Sequence, residues 1–267
     1  MRLSCSTLQY TLVGWPLPEA LQNISSIGYE GIELSIDDVT NSIKAGKYAN
    51  PQEISRTLKE LKLEVAAFDL GTPWYGSKWK KEFLRALDIS HNFEVKILRT
   101  ASCRWPEKVN RTEAFKAIAE NMGWGANIVN KEGYVLSVEA ALGRPIENST
   151  TFLNVREIAG NNLYANFDPS NYYLGGDDPI KSVKKLREII ASVHMKDSSR
   201  SIRGGVFTPM GEGEIDIPMV IQALYEINYD DWITLEYEGS LSGFYKEPDR
   251  GSIQSYKYMK EIINDLR

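Results

Sequence analysis

The chain has 267 residues, 42% hydrophobic and 25% charged, with a formal net charge of −5. That is ordinary for a soluble globular protein, and the length is ample for one large core. The acidic balance and the lack of a Lys/Arg cluster argue against a nucleic-acid partner, and no apolar run reaches the roughly 18 residues that a membrane span needs.

Two textures alternate along the chain. One is short and rich in apolar or β-branched residues; the other is longer, charged and apolar at i, i+3, i+4. The first predicted strand is RLSCSTL, 2–8, followed by a helix over about 17–27 that opens with Pro16 and Pro18 and closes at Gly28. GIELSI, 31–36, is the second strand, and PQEISRTLKELK, 51–62, is a helix with Pro51 where the first turn tolerates it. A third strand, 64–70, precedes a helix over about 77–92, and a fourth, 95–102, precedes a helix over about 109–131. The fifth pair is a strand over 134–140 and a helix over about 148–159, and the sixth is 162–168 with 178–189. The seventh strand, 190–197, is separated by a long loop from a helix over 216–228, and the last pair is 232–238 with 251–266.

Strands alternating with helices imply a parallel sheet, and eight rounds in this length match one closed (β/α)₈ TIM barrel over residues 1–267. The alternative, an open doubly wound sheet, lacks a G-x-G-x-x-G after the first strand. The longest irregular stretches, GTPWYGSKW after the third strand and SSRSIRGGVFTPMGEGE after the seventh, would be active-site loops on the C-terminal face.

Glu139 in YVLSVEA, Asp168 in LYANFDPS, His194 in IASVHMKD and Glu236 in WITLEYEG each stand near the end of one of the last four predicted strands. The spacings are 29, 26 and 42 residues: about one unit, one unit, and one unit plus the long loop. Each residue alone has an ordinary structural reading, as a solvated carboxylate or a hydrogen-bonded core histidine. Together, three carboxylates on inward strands would repel one another without a cation. Carboxylate oxygens with one imidazole suit one divalent ion, Mn, Mg, Co or Zn.

The pieces GYEGIEL, VEAALGRP, NFDPSNYYLGGDDP, HMKDSSR, MGEGEIDIP and LEYEG resemble the xylose isomerase-like TIM barrel superfamily over essentially the whole chain. That superfamily groups sugar and sugar phosphate isomerases and epimerases with inosose dehydratases and abasic-site endonucleases. The resemblance implies that Glu139, Asp168, His194 and Glu236 are the metal ligands, that Glu139 and Glu236 are also the acid/base pair, and that Arg200 hydrogen-bonds substrate oxygens. Asn171 stands where many members carry a histidine, which departs from the standard epimerase pose.

The expected activity is isomerisation or epimerisation of a sugar, sugar phosphate or polyol-type ketone through an enediolate. An inosose-type dehydratase is the alternative on the same ligands, and a sugar-binding barrel without turnover ranks below both. Abasic-site hydrolysis ranks low because the family's version resembles a three-zinc, histidine-rich site and this chain has two histidines. Glu33, Lys196, Trp15 and Trp74 are further substrate-contact candidates, with an exposed strand end or rim packing as the plainer reading of each. Asp197 is the alternative to Lys196 as the inward residue. Arg200, Arg203, Gly204 and Gly205 suggest either a phosphate site or a lid. Tyr75 and Trp105 are loop aromatics of the same kind as Trp15, whereas His91, at a helix C-terminus, reads as structural. The partner is a small carbohydrate or polyol, with neither nucleic acid nor membrane, and a homo-oligomer is left open. The start, MRLSCSTLQYTLVGW, has one Arg and no sustained apolar stretch, and Cys5 and Cys103 read as buried small residues, so a cytoplasmic protein without disulfides is expected.

Overall fold

The computed structural model describes residues 1–200, 206–239 and 247–266. Eight parallel strands close a barrel in the order β1-β10-β7-β6-β5-β4-β3-β2. In chain order, β1 is Arg2–Ser6, α1 Leu8–Thr11, α2 Leu17–Ile27, β2 Gly31–Ser35, α3 Ile36–Lys44, α4 Pro51–Glu60, β3 Glu64–Asp69, α5 Trp79–Ser90 and β4 Ile97–Ala101. Next come α6 Arg111–Lys131, β5 Val135–Glu139, α7 Ser149–Ala159, β6 Leu163–Phe167, α8 Pro169–Leu174, α9 Pro179–Leu186 and β7 Ile190–Met195. A short antiparallel hairpin, β8 Asp197–Ser199 with β9 Val206–Thr208, precedes α10 Ile217–Glu226, β10 Trp232–Leu235 and α11 Pro248–Asp265.

The alternation of the strands fixes what faces where. Outward residues such as Ile32, Leu34, Phe68, Leu98, Leu136, Val138, Val193 and Ile233 are buried under the helices. Inward residues are largely polar and bond one another across strands. Ser4 Oγ lies 2.8 Å from Thr234 Oγ1, and Ser192 Oγ donates to Ser137 Oγ at 2.9 Å and Asn166 Oδ1 at 2.8 Å. Register places Glu139 beside Ala101 on one side and Asn166 on the other, and His194 beside Thr234.

Where boundaries depart from the periodicity, a cap is the cause. The second strand stops at Ser35 rather than 36 because Ser35 Oγ accepts from Asp38 N at 3.0 Å and starts α3, a helix absent from the sequence expectation. Asp168 leaves the sixth strand to cap α8, accepting from Asn171 N at 3.1 Å. The run 190–197 is not one strand: it divides at Lys196 into β7 and the hairpin. Asp216 caps α10, accepting from Met219 N at 3.1 Å. Cys5 and Cys103 are both buried and free. Among the described residues no helix is long and apolar enough to cross a membrane.

The outer layer is tight where α6 meets α7. A Cβ on Gly123 would come within 2.3 Å of the Ala159 carbonyl oxygen, a backbone atom that cannot rotate away. Gly123→Ala is therefore expected to lower the thermal midpoint by on the order of 5 °C, the overpacking outweighing alanine's better helix propensity. An unchanged midpoint in a calorimetric scan would show that the two helices are free to separate.

Candidate metal centre

At the C-terminal mouth the inward positions become charged. Glu33 lies on β2, Asp69 ends β3, Arg99 lies on β4, Glu139 ends β5 and His194 lies on β7; Asp168 and Glu236 follow β6 and β10 by one residue. His194 and Asp168 are 0% exposed, Glu139 4% and Glu236 5%, so bulk water does not solvate these charges and they must be balanced locally. Glu139, Asp168, His194 and Glu236 each offer one ligand atom, and the four atoms lie within 4.8 Å of one another.

His194 is oriented by Glu33, whose Oε2 is 2.7 Å from Nε2. That contact turns Nδ1 toward Glu139 Oε1 and Glu236 Oε2, each 3.3 Å away, yet among the described residues Nδ1 makes no hydrogen bond. A buried imidazole nitrogen aimed between carboxylates, with its other nitrogen held by a further carboxylate, is the arrangement of a metal-ligating histidine. Burial lowers the His194 pKa, but the Glu33, Glu236 and Glu139 charges outweigh it and hold the ring well above its ordinary value. A proton and a divalent cation are thus alternatives for the same Nδ1 lone pair.

Two cations sit among the carboxylates. The Arg99 guanidinium donates to Asp69 Oδ2 at 2.7 Å and closely to Glu139, and its Nε lies 3.6 Å from Glu33 Oε1. Lys196 Nζ lies 2.5 Å from Glu236 Oε2, 2.8 Å from Glu238 Oε2, 3.1 Å from Asp168 Oδ2 and 3.5 Å from Glu139 Oε1. Burial raises the Glu139 pKa, but Arg99, Lys196 and His194 together hold it well below the usual carboxylate range. Burial raises Glu236 likewise, and Lys196 and His194 overcome it. Asp168 is the exception: burial, only partly opposed by Lys196, pushes it up to about 8.

Asn171 joins this layer, its Nδ2 donating to Glu139 Oε1 at 3.0 Å and Asp168 Oδ2 at 3.2 Å. Of the pair Lys196 and Asp197, Lys196 points inward. Asp197 faces the following loop and accepts from the backbone N–H of Gly211 at 3.0 Å and Gly213 at 2.9 Å. Arg200 does not reach the quartet; it is exposed, stacks 3.8 Å over the Tyr173 ring and donates its N–H to Glu214 Oε2 at 2.8 Å. The expectation of Trp74 at the sugar pocket gives way. Its indole is fully buried beside Trp79 and Phe83, its Nε1 donates to Thr100 Oγ1 at 3.1 Å, and a Cβ on Gly125 of α6 would strike it. Trp15 is half-buried against Tyr10 and lines a cleft with Asp38 and Lys47. Trp105 stacks on Phe115, and His91 pairs at 2.8 Å with Glu132 on the outer layer. Arg203, Gly204 and Gly205 fall outside the described residues.

Asp69, Arg99 and Glu238 were not expected in this layer. Arg99 did carry a signal, as the lone charge within ILRTA, and Asp69 ends its strand as Glu33 nearly ends its own.

The family model for xylose isomerase-like TIM barrels matches residues 21–262. An inosose dehydratase of Clostridium botulinum (strain Alaska E43 / Type E3) is 21% identical over 279 residues, covering 91% of this chain and 88% of the relative. Among solved structures, the IOLI protein with a bound zinc atom superposes with a TM-score of 0.82 at 16% identity, covering 99% of both chains. D-psicose 3-epimerase in the presence of D-fructose gives 0.77 at 14% identity, covering 98% of this chain and 99% of that one. With its closed parallel barrel and a match across nearly its full length, this chain belongs to the xylose isomerase-like TIM barrel family.

Proposed function

We propose that this protein is a metal-assisted dehydratase of a polyhydroxy ketone, removing the proton α to the carbonyl and expelling a β-hydroxyl as water. The observation that carries the choice is that the two candidate bases have unlike partners. Glu139 is bound by Arg99, whose guanidinium never gives up its proton, so Glu139 is held as an anion and serves as a ligand. Glu236 is bound by Lys196, an ammonium with a transferable proton. Inverting a centre needs a base on one face and a group on the other that returns a proton to the carbon, and Glu139, held as an anion by Arg99, carries none to return. Elimination needs one base and one acid, which Glu236 and Lys196 provide: the carboxylate takes the carbon-bound proton and the ammonium protonates the departing hydroxyl, releasing water. Glu139, Asp168, His194 Nδ1 and Glu236 would hold the ion, which when bound polarises the carbonyl and a neighbouring hydroxyl. Asn171 keeps Glu139 and Asp168 aligned and presents an amide to substrate oxygens. The names of the curated relatives agree with this reading. Epimerisation is the second reading, favoured by Glu139 and Glu236 lying equally close to His194 Nδ1, from the strands β5 and β10 that flank β6 and β7.

Deuterium uptake and loss of water are to be followed by mass spectrometry on Mn-loaded protein with keto-inositols and ketoses. Exchange accompanied by a mass loss of one water is expected. Glu236→Gln should reduce both by roughly 10²-fold or more, as for a lost general base. Lys196→Met should leave exchange but stop water loss; inversion without water loss in the native protein would select the epimerase reading.

Metal uptake offers two further checks. A cation at the quartet displaces protons from His194 and from Asp168, whose folded pKa of about 8 keeps it protonated at neutral pH. Mn affinity should therefore keep rising as pH increases through 8 and level only once Asp168 and His194 have both lost their protons, with proton release visible in calorimetry across buffers of different ionisation enthalpy. A flat profile would remove the quartet as the binding site. Glu33→Gln, which loosens the His194 ring without touching a ligand atom, should weaken Mn binding by about 10–100-fold.

A further inference from the structure

Beside the quartet, at the ends of β3, β4 and β5, lies a cavity of about 460 Å³ lined by Asp69, Thr72, Tyr75, Ser102, Arg104 and Arg144, among others. Its wall is shared with the metal centre. The Ser102 N–H donates to the Glu139 carbonyl at 2.8 Å, and Asp69 is the carboxylate paired with Arg99. Arg104 and Arg144 put two guanidiniums on this one cavity, and among the described residues neither has an ion-pair partner. They are close enough to repel: burial and then the Arg104 charge lower the Arg144 pKa. Arg144 is nonetheless held in place, donating Nη1 to the Ser102 carbonyl at 3.2 Å. Thr72 supplies an independent sign of a missing ligand. It is 4% exposed, lines the cavity, and its hydroxyl makes no hydrogen bond among the described residues. The one carboxylate in the lining, Asp69, is already paired with Arg99, so the cavity presents two positive charges and an unused hydroxyl.

We infer that Arg104, Arg144 and Thr72 form an anion subsite, and that the substrate of this barrel bears a carboxylate or phosphate group on the side away from its reacting ketone. This rests on the quartet being the reacting end. Paired guanidiniums recognise either anion through charge-assisted, often bidentate hydrogen bonds; Arg144 is half-buried at the wall and Arg104 stands exposed beside it, so an anion entering the cavity meets one held and one mobile donor fork. A neutral polyol ketone would leave the pair unmatched.

Calorimetric binding to Mn-loaded protein, with quinate, myo-inositol and inorganic phosphate as probes, tests this. Quinate and myo-inositol are both hydroxylated six-membered rings, and only quinate carries a carboxylate. Quinate or phosphate is expected to bind at least tenfold more tightly than myo-inositol; the tighter of the two identifies the anion class. In the Arg104→Gln/Arg144→Gln double variant that advantage should fall by tenfold or more, with myo-inositol unchanged. Thr72→Val, a near-isosteric change, should weaken the same probe several-fold and guards against a misfolded double variant, as does an unchanged unfolding midpoint. Equal binding of quinate, phosphate and myo-inositol, or an anion advantage that survives the double variant, would overturn the subsite. Mn uptake is measured on the same samples, so absence of metal binding would count against the quartet reading, while the phosphate and quinate arms still report on the arginine pair in metal-free protein.

Discussion

The barrel mouth is organised by one constraint: charges taken out of water must be balanced within a few ångströms. Five buried carboxylates, those of Glu33, Asp69, Glu139, Asp168 and Glu236, share this layer with Arg99, Lys196 and His194. Arg99 serves the β2–β5 side and Lys196 the β5–β10 side, so the layer is balanced in two halves that meet at Glu139 and His194. Polar inner rows beneath it, such as Ser4–Thr234 and Ser137–Ser192–Asn166, carry hydrogen bonding down the barrel axis where an aliphatic filling would be more usual.

The two halves differ chemically, and the dehydratase proposal rests on that difference. A guanidinium has no proton to pass to its partner; an ammonium can trade a proton with its partner when solvation changes. The same ligand set can thus serve an epimerase with symmetric surroundings or a dehydratase with asymmetric ones, which is why the fold, shared at low identity by proteins of both names, does not discriminate between them.

Much of this was legible in the residue order. Eight strand–helix rounds and the strand-end positions of Glu139, Asp168, His194 and Glu236 followed from periodicity and spacing, because barrel strands are short, capped and nearly equal in height. What periodicity does not encode is a partner across the barrel. Arg99 meets Asp69 and Glu139 from strands 30 and 40 residues away, and no local pattern announces that pairing. Trp74 shows the opposite failure: an aromatic in a long loop invites a ligand-facing role, but a positive φ of 55° turns it into the helix layer. The helices α3 and α8 were hidden because Ser35 and Asp168 serve both as strand ends and as caps.

The pairing of β1 with β10 has a consequence for how the molecule comes into being. Arg99, Glu33 and Asp69 are synthesised first and can neutralise one another early. Glu236 arrives only with the strand that closes the ring, about 30 residues before the chain's end. A nascent or truncated chain lacking that strand would hold three of the four ligands with the seam still open, so full coordination would report completion of the barrel. On the proposed reading, an ion at the quartet would act as a latch on a finished ring rather than a nucleus around which the ring is built.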